Sequence, residues 1–142
     1  MNKKTIAALI SAMILLCACQ RAPDVFTTEN FVSARYEQED FTQVMELLRQ
    51  EAAHATGSRD IRNVIYTGDE ASFYIGTEDA QTETESEWML FLVQFEDKQD
   101  EDWYFMFQRR PHRDWSFGDG DCGPAGAYLR IPKELLPAIL RS

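Results

Sequence analysis

The sequence predicts an α+β domain, with one N-terminal helix packed on an antiparallel sheet of about five strands and short helical turns at the C-terminus. Three observations predict it. Phe41, Val44, Met45, Leu48 and Ala52 recur at helical spacing. Runs of β-branched and aromatic residues then follow one another, separated by acidic or glycine-containing turns. Pro132 and Pro137 punctuate the end of the chain. At 142 residues, 44% hydrophobic and 12% aromatic, the chain has the composition of one folded domain and is too short for a multidomain enzyme.

The helix is expected over residues 40–55. Asp40 stands as its N-cap with Gln43 three residues on, Gly57 follows as a stop, and Gln43, Glu46, Arg49 and Gln50 form a polar outer face. Whether Asn30–Tyr36 adds a preceding helical turn stays open. Ile61–Tyr66 and Ser72–Gly76 read as two strands of a hairpin joined by Thr67-Gly68-Asp69-Glu70-Ala71. Residues 78–87 are rich in Thr, Glu and Gln and read as an exposed loop. Trp88-Met89-Leu90-Phe91-Leu92-Val93 contains no polar side chain except the indole N–H, the pattern of a strand buried on both faces. An acidic turn over 96–102 leads into a further aromatic strand, Trp103–Gln108, so the two strands form a long hairpin at the heart of the sheet. Ala127–Ile131 alternates as a last strand, and Pro132 starts a short helix that Pro137 breaks. Trp88 and Trp103 fit the core, whereas Trp115, between charged residues and a glycine loop, is expected to be exposed.

The first residues carry an address. Lys3 and Lys4 precede eleven mostly apolar residues, Ile6–Leu16, which are too few to span a bilayer and match the short core of a secretory signal. Leu16-Cys17-Ala18-Cys19 resembles the lipobox of bacterial lipoproteins. The resemblance implies cleavage after residue 18, diacylglycerol on the Cys19 thiol and acylation of the new amino terminus, so several buried acyl chains hold the protein to a membrane. In that family Gln20, standing where Asp would retain the protein in the inner membrane, implies the outer membrane of a Gram-negative envelope, facing the periplasm. The expected organisation is a signal peptide at 1–18, lipidated Cys19 and a tether through residue 27, and a single domain over 28–142. The element order also allows a cystatin-like arrangement, an analogy that carries no function.

Removal of Lys3 and Lys4 leaves 12 basic against 24 acidic residues, a charge of −12 on the mature chain. So acidic a surface excludes non-specific nucleic-acid binding, which needs cations to displace phosphate counterions. With Cys17 removed and Cys19 acylated, Cys122 is the one thiol left and no internal disulfide can form. Asp119 and Asp121 sit in a Gly-rich loop, but Pro124 and Arg130 stand where an EF-hand needs Gly and Glu, so no metal site is expected. His54 and His112 are too few for a His-rich zinc site, no catalytic motif occurs, and no cofactor is implied.

Charge is distributed unevenly. Ten acidic residues and only Lys98 lie between Glu78 and Asp102, and Arg109, Arg110, His112 and Arg113 follow at once. The candidate partner-binding residues are therefore Glu83, Glu85, Glu87, Asp100, Glu101, Asp102, Arg109, Arg110, Arg113 and Trp115, on loops that would steer a basic envelope protein. The functional expectation is a non-catalytic binding or accessory lipoprotein. Its concrete forms are an inhibitor or immunity protein against a basic envelope hydrolase or toxin, or a pilotin-like assembly helper. The competing class is an envelope hydrolase or thiol enzyme that pairs Cys122 with a histidine.

Overall fold

The computed structural model describes residues 24–56, 60–79, 86–97, 101–118, 121–127 and 132–135. Among them the chain forms helix α1 (Gln38–Thr56), strand β1 (Ile61–Tyr66), helix α2 (Asp69–Asp79), strands β2 (Glu87–Phe95), β3 (Asp102–Arg109), β4 (Trp115–Ser116) and β5 (Cys122–Pro124), and 3-10 turns at Ala125–Ala127 and Lys133–Leu135. The sheet is antiparallel in the order β1-β2-β3-β4, with β5 also pairing with β3. This is the expected α+β arrangement of about five strands.

The period-2 geometry of β2 explains the core. Met89, Phe91, Val93 and Phe95 point to one face, where they meet Phe41, Val44, Met45, Leu48 and Ala52 of α1, all buried as the helical stripe requires. Leu90 and Trp88 point to the other face, where Ala71 and Ile75 of α2 cover them. The apolar run 88–93 within β2 needs both faces covered, and two helices supply that cover. No helix among the described residues is long and apolar enough to cross a membrane.

Several expectations need correction. Ser72–Gly76 is not a strand: it lies inside α2, which opens at Asp69 with Asp69 and Glu70 in its first turn. Negative charge there is favoured by the helix dipole, and Ser72 N–H donates back to the carbonyl of Gly68 at 3.3 Å, with Gly68 at φ +102° turning the chain out of β1. Asp40 is not the N-cap of α1. It stands inside the first turn and accepts from the main-chain N–H of Glu37 at 3.0 Å, the reaching-back half of a capping box. Trp115 is buried, 4% exposed, because its ring packs edge-on against Tyr36 at 5.5 Å. Ala127, expected in a strand, ends a 3-10 turn, while residues 128–131 lie outside the described ones. Residues 30–36 form no helical turn. The signal segment and Cys19 also lie outside the described residues. Within the expected tether, Asp24 pairs with Arg49 of α1 at 3.2 Å and Arg49 lies 4.5 Å over the Phe26 ring, so residues 24–27 rest on the helix.

Candidate functional site

The β2–β3 hairpin carries most of the predicted site residues, and its register sorts them. Glu87 pairs with Arg109 and Gln94 with Asp102, so the two ends of the ladder stand about 24 Å apart at ~3.4 Å per residue. At one end Glu96, Asp97 and Glu101 are exposed and Asp102 is half-buried. Glu96 N–H donates to the carbonyl of Asp60 at 3.0 Å, which brings exposed Asp60 to the same end. At the other end lie Glu87, Arg109, Arg110, Arg113 and Trp115. Glu83, Glu85 and Asp100 lie outside the described residues. The expected contact residues therefore fall at two separate ends of the hairpin: one acidic, the other carrying Arg110 and Arg113 beside Asp114 and the Arg109 ion pairs.

Arg109 is not available to a partner. Its Nη1 donates to Asp40 Oδ1 and its Nε to Glu87 Oε2, each at 2.6 Å, and its guanidinium lies 4.7 Å over the Trp115 ring. Trp115 Nε1 donates to the same Asp40 Oδ1 at 3.2 Å. Burial would raise the Asp40 carboxyl, but the bonds from Glu37, Trp115 and Arg109 outweigh it and hold the carboxyl below its ordinary range. The Arg109 guanidinium is in turn pushed up, first by the bond to Glu87. These contacts join α1, β2, β3 and β4.

Beyond Arg109 the chain turns back at Arg110–Arg113, where Arg113 N–H donates to the Arg110 carbonyl at 3.0 Å and His112 takes φ +59°. The positive φ at the third position is that of a type II turn, with Pro111 at the second. Gln108, Arg110, Arg113, Asp114, Ser116 and Gly118, with Trp115, line a shallow depression of about 480 Å³. Arg110 and Arg113 are exposed on its rim.

A second polar cluster, centred on Asp69, is not among the residues expected from the sequence. Its carboxylate accepts from Ser33 Oγ at 2.6 Å, Ala34 N–H at 2.8 Å and the Tyr66 hydroxyl at 2.9 Å. Buried Ser72 Oγ lies 3.2 Å from that hydroxyl and accepts from Leu90 N–H at 3.3 Å. Burial raises the Asp69 carboxyl, and the Ser33, Ala34 and Tyr66 bonds more than reverse this, leaving it lowered. Burial also pushes the Tyr66 hydroxyl far up, so it stays a donor. The cluster ties the 33–36 segment, the end of β1 and the start of α2 together. The one sequence signal for it was the Asp69-Glu70 pair, a helix-start signature.

Cys122, in β5, is half-buried. Burial pushes its thiol up, and the negative charges of Asp121 and Glu51 push in the same direction. A nucleophilic thiolate needs the opposite field. Among the described residues no group of three His, Cys, Asp or Glu side chains is arranged to hold a metal ion.

Comparison with protein-family models, with curated proteins and with solved structures finds no match to this chain.

Proposed function

We propose that this chain is a lipid-anchored accessory lipoprotein, held through Cys19 in the outer membrane and facing the periplasm, that binds a basic envelope protein through the acidic end of the β2–β3 hairpin. The observation that carries this reading is the separation of charge along the hairpin. Glu96, Asp97 and Glu101 stand exposed together with Asp60, while the arginine of the ladder, Arg109, is held between Asp40 and Glu87 at the far end. Carboxylates gathered at one end of a hairpin steer a cationic surface and raise its association rate in a salt-dependent way. An inhibitor or immunity protein that blocks a basic hydrolase or toxin, or a pilotin-like helper, would use such a surface. The thiol-enzyme reading is disfavoured, because every charged neighbour that acts on the Cys122 thiol is acidic.

Photo-crosslinking in living cells tests the reading. A photoreactive residue at position 97 or 101 is expected to trap a protein partner, and one at position 46, on the polar face of α1, is not. Trapping from position 46 but from neither hairpin position overturns the assignment.

A further inference from the structure

We propose that the free edge of β1, together with the adjoining wall at residues 30–32, is a groove that takes an extended, uncharged segment of a partner protein as an added strand. This surface is separate from the acidic hairpin end.

The ladder register shows what the edge offers. Thr67 N–H donates to the Leu90 carbonyl at 3.2 Å, opposite its register partner, so main-chain groups of Thr67, Ile65 and Asn63 face β2. Those of Val64 and Tyr66, opposite Val93 and Phe91, face away from the sheet. Among the described residues β1 has no neighbouring strand on that side, and the main chain at Val64 and Tyr66 meets no hydrogen-bond partner there. The two residues are about 7 Å apart at ~3.4 Å per residue, the repeat at which an added strand presents its own N–H and carbonyl groups.

The edge does not face open solvent. Phe31 and Val32 form a second wall, and between it and Asn63, Val64 and Tyr66 lies a slot of about 400 Å³. Val32 is 84% exposed, the most exposed large apolar side chain among the described residues. The wall is pinned: Phe31 packs against Phe41 and Phe91 at 5.4 and 5.5 Å, and Ser33 and Ala34 are held by Asp69. The groove is therefore preformed.

Charge selects the occupant. In a chain with 24 acidic residues, the residues lining this slot carry no formal charge, and the charges beside it are Arg62, Glu29 and Asp69, the last already bonded by Ser33, Ala34 and Tyr66. An uncharged strand complements that lining, whereas a charged side chain would lose water there without a counter-ion. A second copy of this chain is a poor guest, since each copy carries a net charge of −10 or more negative and would bring Arg62 on its own β1.

The test uses the mature chain with Cys19→Ser, amide hydrogen exchange and NMR titration, with a capped peptide of alternating Val and Thr as probe. In the free chain the Val64 and Tyr66 amides exchange faster than that of Ile65. The peptide is expected to shift Val32, Val64 and Tyr66 saturably and to slow both outward amides about tenfold or more, a ratio equivalent to ~1.4 kcal/mol of protection. Val32→Asp, at a position exposed enough to leave folding intact, weakens binding about fivefold or more, and a peptide with Lys or Glu in place of its central residue binds equally poorly. No saturable shift up to about 5 mM peptide, binding that Val32→Asp leaves unchanged, or outward amides already protected in a concentration-dependent dimer each overturn the proposal.

Discussion

Replacing Arg109 by Ala removes, in one step, both 2.6 Å contacts to Asp40 and Glu87 and the stack on Trp115. Its side chain is 27% exposed, Asp40 16% and Glu87 39%, so the pairs fall between screened surface bridges and fully buried ones. About 1 kcal/mol for the Asp40 bond, somewhat less for the more exposed Glu87 bond, and roughly 0.5–1 kcal/mol for the aromatic stack give a loss of about 2–3 kcal/mol. In a domain of this size that is a fall in Tm of about 8–12 °C, readable by circular dichroism, with urea unfolding as the second measure. Arg109→Lys keeps the charge but loses the fork that reaches two carboxylates at once and the flat face over Trp115. It should recover no more than about half. A loss below about 0.5 kcal/mol for Ala, or full recovery with Lys, would show that the contacts do not stabilise the junction and that Arg109 is open to a partner after all.

Gly76→Ala in α2 would place a Cβ 2.9 Å from the buried Trp88 ring, so overpacking should outweigh the ~1 kcal/mol gain in helix propensity; the variant is expected to unfold at lower urea and to shift Trp88 fluorescence, and greater stability would contradict the packing described. Asp40 and Asp69 both have carboxyl pKa values lowered from 3.8 on folding, so their contribution is complete well above pH 3.8 and disappears as pH falls through the lowered values. Asp69→Asn should therefore lower stability at neutral pH and flatten the acid limb of a pH–stability curve, and an unchanged acid limb would refute the account. Cys122 should react with a thiol reagent more slowly than an exposed cysteine at neutral pH, and Cys122→Ser should leave partner binding intact; fast labelling would revive a reactive thiol. Cys19→Ala should move the protein out of the membrane fraction or leave it unprocessed, and continued processing with membrane attachment would refute the anchor.

The legible parts of the fold were those where one physical demand governs the pattern. The stripe of α1 and the apolar run of β2 declared themselves, because a half-buried helix and a doubly covered strand leave unambiguous spacings. The covering helix itself was misread. Phe73, Tyr74 and Ile75 are contiguous and look like a strand, yet only Ile75 is fully buried, while Phe73 is 58% exposed with Arg35 lying 5.2 Å over its ring. A buried β2 demanded cover on its second face, and the Asp69-Glu70 pair marked where that cover begins. Taken together they point to a helix that short-range propensity concealed. The site was legible as charge along the chain, not as geometry. Arg109 and Arg110 are adjacent in sequence, but strand alternation and the positions of Asp40 and Glu87 hold the first internally and leave the second on the surface. Trp115 was misplaced for the same reason, since Tyr36 and Asp40, which enclose it, come from distant segments.

Binding of a basic envelope protein at the acidic hairpin end, as proposed, is open to a direct assay. The mature chain with Cys19→Ser, immobilised and exposed to native envelope extract, tests it most directly when compared at low and high salt with the same chain carrying Glu96→Gln, Asp97→Asn and Glu101→Gln. The account predicts a basic protein retained at low salt, released by high salt, and absent from the neutralised variant. Retention of the same protein by the neutralised variant, or no retained protein at either salt, would contradict it.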